Sequence, residues 1–103
     1  AARLYRQEIA IAALNSTTTR SLAAQAADEM LNISGIMASF VLYPEEGTVF
    51  ISARSIGSAN VQMILEPLGG GGNAATAGAQ IKDTTVPEML RWLKASIDNY
   101  YDN

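Results

Sequence analysis

Residues 8–14 (EIAIAAL) carry Ile9 and Ile11 two apart, the period-two pattern that predicts a first strand. The polar run Asn15-Ser16-Thr17-Thr18-Thr19 follows as a loop and supplies hydroxyls suited to cap a helix. Over residues 20–32, Leu22, Ala23, Ala26, Ala27, Met30 and Leu31 recur at helical spacing, with Asp28 and Glu29 outside the stripe. The alanines make a flat face able to pack closely on a sheet. Two β-rich runs, 35–43 and 48–55, are joined by Pro44-Glu45-Glu46-Gly47, which reads as a hairpin. In the second run Val49 and Ile51 alternate with Phe50 and Ser52, so its start is apolar on both faces. A short helix is predicted over 61–68 (VQMILEPL), capped by Ser58 or Asn60 and limited by Pro67.

The four glycines Gly69, Gly70, Gly71 and Gly72 then break regular structure, and residues 77–82 (AGAQIK) form a short last strand. Thr85-Val86-Pro87-Glu88 opens the final helix with a capping box and a proline in the first turn. Its core stripe is Met89, Leu90, Leu93 and Ile97, with Trp92 on the flank and Tyr100-Tyr101 near the end. The order β-α-β-β-α-β-α predicts a single α+β domain, its three helices packed on a sheet of about four strands. No internal repeat or linker divides it.

Composition narrows the chemistry. The 103 residues are 49% hydrophobic and 17% charged, a core-forming balance. There is no cysteine and no histidine, which removes disulfides, thiolate or imidazole metal sites, cysteine nucleophiles and histidine bases. Seven Lys and Arg against ten Asp and Glu give a net charge of −3, which argues against duplex-DNA binding through many phosphate contacts. No run approaches the roughly 20 apolar residues of a membrane helix, and the longest candidate, 36–43, is interrupted by Ser39. No cleavable signal is evident, and the start Ala1-Ala2-Arg3 reads as a soluble piece of a longer protein.

Candidate chemistry concentrates between Ser52 and Asn73. Ser52-Ala53-Arg54-Ser55 ends a strand, Asn60 starts a helix, and the glycine run leads into Asn73. A guanidinium grips phosphate through a planar fork of donors. A helix N-terminus offers free N–H groups, and consecutive glycines let backbone amides approach a ligand. Together these suggest a phosphate or nucleotide site. Each piece also has a plain structural use: Arg54 in an ion pair with Glu66 or Glu45, Asn60 as an N-cap, Ser52 and Ser55 as strand ends, the glycines as a loop. Trp92, Tyr100 and Tyr101 read as core or helix-end packing, and Glu45-Glu46 as a solvated turn.

Catalysis by these residues alone finds little support. Asp28 and Glu29 are adjacent on a helix and diverge. Asp98 and Asp102 are four apart but fall at a terminus expected to fray. No convincing set of metal ligands is present.

Taken together, AAQAADEMLN, ASFVL, ISARS, NVQMILEPLGGGG and AQIKDTTVPEML resemble, in order and spacing, the C-terminal DHH-associated domain of the DHH phosphoesterases. The likeness is greatest to the cyclic-di-AMP phosphodiesterase branch and covers nearly the whole chain. The resemblance implies an N-terminal DHH domain that holds two manganese ions and hydrolyses the phosphodiester. The present domain would then bind the substrate nucleotide and close the cleft, inactive by itself. By resemblance Ser52, Arg54 and Ser55 belong to a serine-x-arginine-serine motif facing substrate, and Asn60 with Gly69, Gly70, Gly71 and Gly72 helps hold phosphate or base. One position departs: the family's glycine run is followed by histidine, and here by Asn73, which donates a hydrogen bond but carries neither proton nor positive charge.

The expected partners are a cyclic dinucleotide or a short oligonucleotide and the parent's DHH domain, with a homodimer also allowed. The resemblance further implies membrane helices upstream and a cytoplasmic catalytic region. Two other readings stand beside this one: the same domain from an oligoribonuclease or RecJ-like single-strand exonuclease, and an interaction domain that has lost its ligand.

Overall fold

The computed structural model describes residues 2–102. In chain order the elements are β1 (Ala2–Tyr5), β2 (Ile9–Ala13), α1 (Arg20–Met30), β3 (Ala38–Glu45), β4 (Thr48–Ser55) and α2 (Val61–Leu65). A 3-10 turn (Glu66–Leu68), β5 (Gly71–Gly72), β6 (Thr76–Lys82) and α3 (Val86–Asp102) follow. The strands form one sheet in the order β1-β2-β3-β4-β6-β5. Only β2 and β3 run parallel, with α1 as their crossover; every other neighbouring pair is antiparallel.

The expected α+β domain is therefore present, but its sheet has six strands where about four were expected. The two additional strands lie at its edges. β1 is largely exposed, with Leu4 at 65%, so it carries no buried face that a hydrophobic pattern could reveal. It turns into β2 through Arg6 (φ 54°) and Gln7 (φ 69°), left-handed residues with no glycine to signal the turn. β5 is two glycines paired with β6 at Gly71↔Gly78 and Gly72↔Ala77, inside the run read as structureless.

The hairpin loop is tighter than predicted. Pro44 and Glu45 still belong to β3, and the turn consists of Glu46 (φ 51°) and Gly47 (φ 79°). That pair of positive φ values matches the twist of the flanking strands. Pro44 is tolerated because β2 ends at Ala13, opposite Leu42, so no strand on that side needs its missing N–H.

Each face of the sheet has its own core. On one side α1 sets Ala23, Ala27 and Met30 against Ala10, Val41 and Tyr43. On the other, α2 and α3 press Val61, Ile64, Leu65, Met89, Leu93 and Ile97 onto Ile9, Phe40, Leu42, Val49 and Ile51. β3 runs between both layers, which explains its unbroken burial from Ala38 to Tyr43. The one polar residue within that stretch, Ser39, is buried and donates its hydroxyl to the Ala27 carbonyl at 2.6 Å.

Helix ends follow local chemistry. Thr19 caps α1, accepting from Leu22 N–H at 3.0 Å, and Asn60 caps α2, accepting from Met63 N–H at 3.0 Å. At α3, Thr85 Oγ1 accepts from Glu88 N–H at 3.3 Å, while the Glu88 carboxylate accepts from the Thr84 hydroxyl at 3.1 Å.

Candidate functional site

β4 alternates strictly. Phe50, Ser52 and Arg54 are half-buried on the α1 side, whereas Val49, Ile51, Ala53 and Ser55 are buried on the other. Helix α1 packs mainly on β3 and β4 and stops short of β6, leaving the rest of this β4 face and the neighbouring face of β6 open. A groove of about 380 Å³ lies there, with Arg20 and Ala24 of α1 on one rim and Gly69 and Gly71 on the other. Its floor carries Phe50, Ser52, Arg54, Gly78 and Gln80.

Arg54 is the central group. Its side chain is only 18% exposed, held by Nη1 donating to the Ala53 carbonyl at 2.8 Å and by Nε facing Asp28 Oδ1 at 3.2 Å. The ion pair is thus made neither with Glu66 nor with Glu45. Asp28, outside the packed stripe of α1, takes that place. The remaining guanidinium hydrogens are left for a ligand, and a half-desolvated cation attracts an anion more strongly than one in open water.

Ser52 pairs in register with Gly78 and lies in the same groove. Ser55, an odd number of residues from Ser52, faces the other way. It is buried, and its hydroxyl binds among the carbonyls of Met37 and Ala59, tying the strand end to the following loop. Asn60 caps α2 on the far layer and gives its backbone N–H to Tyr100 Oη at 3.0 Å. It does not line the groove.

The four glycines divide their roles. Gly69 is left-handed (φ 81°) and ends the 3-10 turn. A Cβ at Gly70 would lie 2.6 Å from the Gly78 carbonyl oxygen, and one at Gly72 (φ 142°) would lie 2.3 Å from that of Thr76. Gly71 has open space around its missing Cβ and borders the groove. Asn73 folds onto its own turn: its Oδ1 accepts from Ala75 N–H and Thr76 N–H, both at 2.9 Å, and its N–H donates to Thr76 O at 2.7 Å.

The carboxylates near the C-terminus are engaged rather than frayed. Arg6 bridges Asp98 at 3.0 Å and Asp102 at 2.9 Å, and Tyr5 donates its hydroxyl to Asp98 at 2.7 Å. The Tyr5 hydrogen bond, aided by Arg6, holds the Asp98 carboxyl below its usual range. Tyr101 lies under the Arg6 guanidinium, 5.1 Å from its ring centre, so Tyr100 and Tyr101 are helix-end packing. Trp92 stays on the flank of α3, 40% exposed.

Sequence reasoning passed over Phe50, Gln80, Gly78 and Arg20 as groove residues, and Asp28 as the partner of Arg54. The period-two alternation of β4 already put Phe50 with Ser52 and Arg54, and Ser55 opposite them. The remainder depended on knowing that β6 lies beside β4. Among the described residues no group of three or more His, Cys, Asp or Glu side chains could hold a metal ion. The resemblance places the manganese pair in the DHH domain of a longer protein and not on these residues. Among the same residues, no helix is long and apolar enough to cross a membrane.

A family model described as the DHHA1 domain matches residues 6–101. The chain belongs to the DHHA1 domain family. This DHHA1 domain is 47% identical over 89 residues to the cyclic-di-AMP phosphodiesterase GdpP of Geobacillus thermodenitrificans, covering 85% of the chain and 14% of that protein. It is 50% identical over 82 residues to the cyclic-di-AMP phosphodiesterase PdeA of Listeria monocytogenes, covering 78% of the chain and 12% of that protein. The chain therefore spans only a small part of the length of these relatives. Among solved structures, an exopolyphosphatase-related protein from Bacteroides fragilis superposes with a TM-score of 0.83 at 18% identity, over 96% of this chain and 31% of that one. That likeness is one of fold.

Proposed function

We propose that this DHHA1 domain is the substrate-binding part of a DHH-family phosphodiesterase that hydrolyses cyclic-di-AMP. The metals, manganese by family resemblance, would be held by an N-terminal DHH domain. The observation that carries the reading is Arg54: a partly desolvated guanidinium with spare donors, set in an open groove between α1 and the glycine rim. The names of relatives at 47% and 50% identity support the choice of nucleotide.

In this reading Arg54 grips a phosphate oxygen pair, Ser52 donates a hydroxyl to the same phosphate, and the backbone at Gly69 and Gly71 approaches it without side-chain obstruction. Gly70, Gly72, Ser55, Asn60 and Asn73 act one step back, by fixing the loop and strand end that shape the groove. The domain lowers the barrier by orienting the phosphodiester and stabilising charge that develops on it. Alone it binds and does not hydrolyse. The parent protein presents it on the cytoplasmic side of a membrane, anchored by upstream helices.

The test is an NMR titration of the isotope-labelled domain with cyclic-di-AMP, its linear dinucleotide product and a short oligoribonucleotide. Saturable shifts at Arg54, Gly69 and Gly71 with the dinucleotides support the reading. Binding that strengthens with oligonucleotide length and weakens steeply with salt would instead assign the domain to a single-strand nuclease. No shift with any ligand would overturn the groove assignment. Arg54→Ala, with an otherwise unchanged amide spectrum, is expected to weaken cyclic-di-AMP binding by about ten- to a hundredfold, the value of a hydrogen bond to a charged group.

A further inference from the structure

The end of the groove away from Arg54 has a different chemistry. Phe50 of β4 lies there, half-buried, its ring stacked on that of its register partner Tyr43 with centroids 5.3 Å apart and planes 12° from parallel. Tyr43 is buried, so it backs Phe50 rigidly on one face. On the other side of β4 the register partner of Phe50 is Gln80, exposed on β6. Beside it Gly78, paired with Ser52, contributes no side chain and leaves the floor low. Among the described residues, neither the Gln80 amide nor the Arg20 guanidinium on the adjoining rim has a hydrogen-bond or ion-pair partner in the protein. An aromatic wall, a flat floor and an unspent amide at one end of a groove match a flat heterocycle better than a second phosphate.

The geometry points to an adenine subsite at this end, in which Phe50 stacks on the base and Gln80 reads its edge. This inference rests on the groove reading above and adds the base to it. Gln80 presents one donor and one acceptor side by side, the complement of the adenine N6–H and N7 pair. The same edge of guanine shows two acceptors, O6 and N7, and leaves the amide oxygen facing a lone pair. Spacing along β4 is compatible: Ser52 lies about 6.6 Å and Arg54 about 13 Å from Phe50 along the strand. A nucleotide whose base meets Phe50 thus keeps its phosphate near Ser52 and within reach of the Arg54 arm. Stacking supplies affinity that any base could share, and Gln80 supplies the discrimination.

The experiment titrates the labelled domain with cyclic-di-AMP, cyclic-di-GMP and ribose 5-phosphate, the last having a phosphate but no base. Phe50 ring and Gln80 side-chain amide signals are expected to move with cyclic-di-AMP and not with ribose 5-phosphate. Arg54 Nε and the glycine signals should move with both. Phe50→Leu should weaken cyclic-di-AMP about tenfold while leaving ribose 5-phosphate binding unchanged. Gln80→Leu, an exposed substitution that spares the core, should narrow the preference for cyclic-di-AMP over cyclic-di-GMP by about tenfold. If Arg54 and the glycines respond while Phe50 and Gln80 stay silent, or if Gln80→Leu leaves the preference intact, the adenine subsite is overturned and the phosphate groove survives. If both regions are silent, both readings fall together.

Discussion

Two serines of one motif show how a single position decides a role. Ser52 and Ser55 both belong to the string ISARS, yet the pleat turns Ser52 to the open groove and Ser55 into the core. Between them Arg54 is shared by two masters, a ligand-facing groove and the Asp28 carboxylate 3.2 Å from its Nε. Asp28 is 63% exposed, so the pair contributes little to folding. Its larger effect is on the groove, where the carboxylate competes with an incoming anion for the guanidinium. Asp28→Asn is therefore expected to leave stability within about 1 kcal/mol, by denaturant unfolding. The same variant should tighten inorganic phosphate binding severalfold at low salt, a gain that calorimetry would detect and that high salt should erase.

At the scale of elements, the glycine run is both a terminator and an edge strand. Gly70 and Gly72 approach the backbone of β6 so closely that a side chain at either would meet a carbonyl oxygen, whereas Gly71 faces open space. Adjacent positions should accordingly respond in opposite ways. Gly72→Ala forces a side chain onto a φ of 142° and against Thr76 O, and should destabilise the domain by about 1–3 kcal/mol. Gly71→Ala should fold with nearly unchanged stability but set a methyl at the groove rim and weaken nucleotide binding. Thermal unfolding beside a binding titration separates the two. Equal loss of stability in both variants would refute this division. The β3–β4 hairpin makes the complementary point: the spacer 44–47 was legible as a turn from its length and its glycine, while its tightening to Glu46-Gly47 and the extension of β3 through Pro44 depended on strand pairing and on where β2 stops.

Across the whole molecule, the first loop is fastened to the last helix. Tyr5 and Arg6 bind Asp98, and Arg6 binds Asp102, so β1 and the end of α3 hold each other. The Asp98 carboxyl is depressed first by the Tyr5 hydrogen bond and then by Arg6. A depressed carboxyl stabilises the fold above its unfolded pKa, and that contribution is lost as pH falls through the folded value. Asp98→Asn should therefore lower Tm at pH 7, and the gap to the parent chain should close as pH drops below about 4. A gap that persists at pH 2 would show that Asp98 acts through packing instead.

By itself the sequence determined the elements with a local cause: the hairpin, the presence of capping side chains ahead of α1 and α2, the core stripe of α3 and the order of the helices. Each rests on periodicity, a capping side chain or a turn glycine, and all are properties of neighbouring residues. The family was legible too, in strings such as ISARS and the glycine run. The tertiary structure alone decided the two edge strands, the ion pair with Asp28 and the union of Phe50, Gln80 and Arg54 in one groove. These depend on which strand lies beside which and on how much of the sheet α1 leaves uncovered, relations between distant segments that no local pattern encodes.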